Sequence, residues 1–129
     1  MGPYKAMYEL KIIRKFAAAH QLPLSQTKCE NLHGHNWKIE VYIKGEKLDQ
    51  SGMLIDFSIL KKYVDQILEK LDHQFLNDLP YFKEQSPSSE TIARYIAETL
   101  NDQLKNLGVS VNRVSAWESD DACATYFMG

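Results

Sequence analysis

The chain reads as an α+β protein. Its order is β-β-α-α-β-β, a four-stranded antiparallel sheet with two helices on one face. Three observations predict this. Residues 35–43 alternate, with His35, Trp37, Ile39, Val41 and Ile43 on one side and Asn36, Lys38 and Glu40 on the other. Two later stretches carry apolar residues at helical spacing. The remaining strand-like stretches fall in pairs, one pair before and one after the helices, so each pair forms a hairpin.

Residues 8–20 form the first strand. Tyr8, Leu10 and Ile12 lie opposite Glu9 and Lys11, and the alternation slips at Ile12-Ile13, which predicts a bulge. The strand ends in Phe16-Ala17-Ala18-Ala19-His20. Residues 21–34 have no period and carry Pro23, Ser25 and Thr27, so they form a loop that contains Cys29. The second strand begins near His35 and runs to about Lys44. A polar turn follows, and Asp56 is the expected N-cap of helix 1. That helix runs from about Phe57 to Leu71, with Phe57, Leu60, Val64, Ile67, Leu68 and Leu71 as its apolar stripe, and it delivers Asp72-His73 at its end.

After a connection containing Pro80 and Pro87, Ser88-Ser89-Glu90-Thr91 opens helix 2. A serine cap and an early acid suit the positive end of the helix dipole. Ile92, Ile96, Leu100, Leu104 and Leu107 form its stripe, and Gly108 stops it. The third strand spans Val109 to Glu118 and slips near Asn112-Arg113. The fourth spans Ala122 to Met128, with Cys123 read as packing. A sheet of this kind has two open edges, which argues for an oligomer closed edge to edge.

Bulk properties bound the class. The 129 residues suit one domain, 1–129, with residues 1–7 a disordered or appended tail. Hydrophobic residues at 44% can fill a core, and a net charge of -2 gives no general pull toward nucleic acid or membrane. No apolar run approaches the roughly 18 residues that span a bilayer. The first residues lack the apolar core of a signal peptide, so a cytoplasmic protein is expected. In that compartment Cys29 and Cys123 are expected to be free thiols.

Chemistry concentrates in few residues. Of four histidines, His33 and His35 flank Gly34, and His20 ends the neighbouring strand. Alternate strand residues share a face, so the three imidazoles can converge. Three histidines leave zinc with open positions, as in a catalytic site. Read singly, each would be an ordinary histidine bonded to backbone. Cys29 has three readings: a buried inert thiol, a fourth ligand that closes the site, or a base or nucleophile beside the metal. Asp72-His73 is either a carboxylate-oriented imidazole or a helix end where His73 meets the negative dipole. Glu118, after Trp117, is either a solvated strand end or a carboxylate able to grip a guanidine-like edge of a heterocycle. Glu90 reads as a first-turn helix acid.

Together these motifs resemble a known family. Phe16-x-Ala18-Ala19-His20, Cys29-x3-His33-Gly34-His35, Met53-Leu54-Ile55-Asp56-Phe57, Leu71-Asp72-His73, Pro87-Ser88-Ser89-Glu90 and Trp117-Glu118 occur in the order of the 6-pyruvoyl-tetrahydropterin synthase / 6-carboxy-tetrahydropterin synthase family. The resemblance runs from about Tyr8 to Met128. It implies the tunnelling fold, trimers joined as barrels, and a homohexamer with active sites between subunits. It implies Zn2+ held by His20, His33 and His35, a proton-transfer triad of Cys29, Asp72 and His73, and a pterin ring anchored by Glu118.

The implied substrate is 7,8-dihydroneopterin triphosphate. The short Cys-x3-His-Gly-His spacing resembles the 6-carboxy-tetrahydropterin branch that feeds queuosine. Glu30, directly after Cys29, resembles a glutamate that in a related branch supports cleavage to 6-hydroxymethyl-7,8-dihydropterin for folate. Ser88-Ser89 departs mildly from the Pro-Thr-x-Glu often found there. The pyruvoyl-forming reaction is a further alternative. A rival of another class is a purine- or pterin-binding protein with structural zinc and Cys29 as fourth ligand.

Overall fold

A computed structural model describes residues 7–22 and 33–129, with His33 in its backbone only. The strands are β1 (Tyr8–His20), β2 (His33–Gly45), β3 (Ser110–Ser119) and β4 (Ala122–Phe127). The helices are α1 (Phe57–Glu69) and α2 (Ser89–Leu104), with two short 3-10 turns, Leu76–Asp78 and Pro80–Phe82, between them. The sheet is antiparallel in the order β1-β2-β3-β4, so sequence neighbours are spatial neighbours.

The apolar side of β2 is the centre of the core. Trp37, Ile39, Val41 and Ile43 are fully buried. Helix α2 lies over β3 and β4, and α1 lies beside it toward β1. Leu60, Val64 and Ile67 of α1 and Ile92, Ile96, Leu100 and Leu104 of α2 complete the core. Asp56 caps α1, its Oδ1 accepting from the Ser58 backbone N–H at 2.7 Å. Ser88 caps α2, its Oγ accepting from the Thr91 N–H at 3.2 Å. Among the described residues no helix is long and apolar enough to cross a membrane.

Several expectations are corrected. There is no bulge at Ile12-Ile13, because the ladder runs unbroken from Tyr8↔Gly45 to His20↔His33. The doubled isoleucine serves two faces instead: Ile12 is buried in the core and Ile13 is 48% exposed on the side away from the helices. The slip near Asn112-Arg113 is a real bulge, since Tyr42 pairs with Arg113 but Ile43 pairs with Val111. Phe57 is the first residue of α1 and lies half exposed, outside its buried stripe. Leu107 is 42% exposed, because α2 ends at Leu104 and the chain then turns through Gly108 at φ 76°. Cys123 is exposed on edge strand β4 rather than packed, and it is a free cysteine.

The helix-free face carries its own polar network. Glu40 is buried there and accepts from Trp117 Nε1 and, at 3.2 Å, from Lys11 Nζ. Burial alone would raise its pKa. The Trp117 and Lys11 hydrogen bonds outweigh burial and hold it below the ordinary glutamate value of 4.5. A carboxylate depressed in the folded state stabilises fully above its unfolded pKa and loses that contribution as pH falls through the lower folded value. The stability advantage of wild type over Glu40→Gln is therefore expected at pH 7 and should vanish as pH drops below 4.5. Thermal unfolding of both proteins from pH 7 to pH 3 checks this; a gap that widens with acid would contradict it.

Candidate metal centre and active site

His20 is the last residue of β1 and is almost fully buried. Its Nδ1 lies 2.7 Å from the Pro87 carbonyl oxygen, just ahead of the α2 cap. A carbonyl only accepts, so Nδ1 carries the proton and donates. In the neutral ring Nε2 then holds the lone pair, which is the tautomer a metal requires.

That Nε2 sits 3.1 Å from Glu118 Oε1, and His35 Nε2 sits 2.9 Å from the same oxygen. The ligand atoms of His20, His35 and Glu118 all lie within 4.8 Å of one another. A lone pair facing a carboxylate oxygen at this distance is repulsive unless a proton or a cation lies between them. Two imidazole nitrogens and a carboxylate in a half-buried setting are a donor set that suits zinc. The residues present therefore fit a metal ion. The backbone of His33 pairs with His20 in the ladder, two residues from His35.

Glu118 lies at a second bulge of β3. Trp117 pairs with Cys123 and Ser119 with Ala122, so Glu118 is the extra residue of β3. Lys38 pairs with Trp117, which places Glu118 next to Trp37 on the core side of the sheet. Ala116 and Val114, two and four residues earlier on β3, are fully buried on that same side.

Asp72 and His73 follow the end of α1. Asp72 Oδ1 accepts from the Ala17 N–H at 2.9 Å, and the His73 N–H donates to the Ala17 carbonyl at 2.6 Å. The Ala19 N–H donates to the Gln74 carbonyl at 3.0 Å. These bonds stitch the segment onto the outer edge of β1. His73 has φ 58°, the left-handed region, and its side chain is 81% exposed. Its Nε2 lies 3.5 Å from Asp72 Oδ2. His73 and His35 line one open cleft of about 500 Å3, together with Ala17, Ala19, Gly34 and Asn36.

So the structure brings together His20, His35 and Glu118, while His73 shares with His35 a cleft whose lining includes neither His20, Glu118 nor Asp72. Cys29 and Glu30 lie outside the described residues, as does the side chain of His33. The approach of Glu118 to the histidines, the Pro87 carbonyl and the place of Trp37 against both rings were absent from the sequence reading. The first needed the β2–β3 register, which no local pattern supplies.

A family model described as 6-pyruvoyl tetrahydropterin synthase matches residues 9–128. The chain belongs to that family. Among relatives of this 6-pyruvoyl tetrahydropterin synthase family member, the 6-carboxy-5,6,7,8-tetrahydropterin synthase of Synechocystis sp. is 38% identical over 118 residues, covering 87% of each chain. The dihydroneopterin monophosphate aldolase of Pyrococcus furiosus is 36% identical over 106 residues, covering 82% of this chain and 85% of that one. The solved structure of Caenorhabditis elegans 6-pyruvoyl tetrahydropterin synthase superposes with a TM-score of 0.86 at 30% identity, covering 98% of this chain and 100% of that one. The four-stranded sheet with its helix pair is the tunnelling fold of the family. Three relatives bear three different activities, so family membership leaves the product open.

Proposed function

We propose that the chain is a zinc-dependent lyase that converts 7,8-dihydroneopterin triphosphate to 6-carboxy-5,6,7,8-tetrahydropterin, in the deazapurine branch. The observation that carries the reading is the meeting of His20 Nε2 and His35 Nε2 at Glu118 Oε1. Relatedness to the Synechocystis 6-carboxy-5,6,7,8-tetrahydropterin synthase supports the product.

His20, His33 and His35 would hold the zinc. When bound, zinc would supply Lewis acidity toward the substrate's side-chain hydroxyls. Cys29, as thiolate, takes the proton from carbon. Asp72 and His73 relay that proton, Asp72 fixing its own place through the Ala17 N–H. Glu118 orients the pterin ring by accepting hydrogen bonds from its guanidine-like edge, which contributes through positioning. Active sites shared between subunits of a cytoplasmic homohexamer complete the reading.

A second product has an observation of its own. Glu30 adjoins Cys29, and the Pyrococcus furiosus relative is named an aldolase. Cleavage to 6-hydroxymethyl-7,8-dihydropterin is therefore the alternative. Mass spectrometry of zinc-loaded wild type with 7,8-dihydroneopterin triphosphate tests both. The expected product is the 6-carboxy compound; a dominant hydroxymethyl or pyruvoyl product would reassign the branch, and no turnover would sink the enzyme reading.

A further inference from the structure

Trp37 touches both histidines of the proposed centre. Its ring centre lies 5.2 Å from that of His20 and 5.5 Å from that of His35, with planes crossed at 82° and 73°. The two imidazoles are themselves 5.0 Å apart and crossed at 76°. Phe16, its cross-strand partner, stacks nearly parallel to the indole at 6.1 Å and 10°. Four rings thus form one interlocked set, and the indole is its middle member.

The indole N–H adds a second observation. Trp37 is 0% exposed, and its Nε1 has no hydrogen-bond partner among the described residues. A buried donor left unmade is a cost that an apolar ring of the same shape would avoid. What the position uses is the flat aromatic surface, not the polar atom. The bond from His20 Nδ1 to Pro87 pins one corner of that imidazole. The approach of Nε2 to Glu118 Oε1 at 3.1 Å fixes a second point, the remaining contacts of the ring are packing contacts, and edge-to-face contacts of this kind favour one relative orientation.

We propose that Trp37 is a positioning residue for the metal centre: its indole sets the planes of His20 and His35 so that their Nε2 atoms meet at one point. The inference rests on the reading of that site as a metal centre. Groups behind the direct ligands typically shift metal affinity by about 10- to 100-fold.

Cobalt(II) titration followed by d–d absorption tests it, without reference to activity. Trp37→Leu removes the flat surface and should weaken cobalt binding by about 10- to 100-fold, with an altered d–d band. Trp37→Phe keeps a flat ring, drops the orphan donor and should bind as wild type does. Ile39→Ala lies on the same face of β2, two residues farther from the histidines. It should lose thermal stability yet keep wild-type affinity and spectrum. Should Trp37→Leu fail to fold, Phe16→Leu, which frees the indole from its stack, should show the weakened binding instead. The inference is overturned if the folded Trp37→Leu protein, or Phe16→Leu in its place, matches wild type, or if Trp37→Phe or Ile39→Ala loses affinity equally. Wild type that binds no cobalt at all would overturn the metal centre itself, a result visible before any variant is compared.

Discussion

Replacing His20 with alanine is expected to abolish metal binding and turnover together. His20 is 2% exposed, so its loss opens a space inside the protein rather than trimming the surface. It is the residue whose tautomer is set, with Nδ1 held by Pro87 and Nε2 left free to coordinate. Its removal leaves His33 and His35 of the three proposed ligands, which is too few for a stable zinc site. The loss of affinity should exceed the roughly 10- to 100-fold typical of a change behind the ligands. Zinc content after dialysis, measured beside activity, checks this. Full zinc with full turnover would mean that the cluster is only a hydrogen-bonded set of core side chains.

Cys29→Ala should behave differently. A base in the transition state is worth about 10²- to 10⁴-fold, so turnover should fall by that factor while zinc stays bound. Zinc lost with the thiol would instead make Cys29 a fourth ligand and the site a closed, structural one. Glu30→Ala belongs in the same experiment. If Glu30 serves the hydroxymethyl product, its loss should remove that product and leave the 6-carboxy product unchanged. Zinc content and product masses for the two variants, set side by side, separate the enzyme from a binding protein and one branch from the other.

Much of this architecture was written in local pattern. The alternation from His35 to Ile43 revealed β2, and it also revealed that His35 faces the core. The stripe from Ile92 to Leu104 revealed α2. The meeting of His20 and His35 was legible for the same reason: two strands of one hairpin carry these histidines near the loop, so short-range geometry brings them together. The failures share a cause. Ile12-Ile13 looked like a slip because two apolar neighbours break a two-residue period, yet a sheet with an apolar residue on each face needs no bulge. Leu107 fitted the helical period beyond the residue where the helix stops. Cys123 looked packed because its strand is apolar, but that strand is an edge. Glu118 was singled out for its chemistry, while its approach to the histidines depends on the β2–β3 register, which is set by the whole sheet.

The left-handed turn at His73 has a consequence for what that position can become. Most side chains held there strain the backbone by about 1–3 kcal/mol, whereas glycine avoids the strain and histidine, asparagine and aspartate are the residues most often found there. The backbone therefore filters the side chain before any chemistry is asked of it. Of the residues admitted, only histidine can give up or take a proton near neutral pH. An attempt to install lysine, glutamate or tyrosine as a new acid or base at this spot would meet resistance from the chain itself. Position 73 is a socket shaped for very few plugs, and the one it holds is the one that can carry a proton.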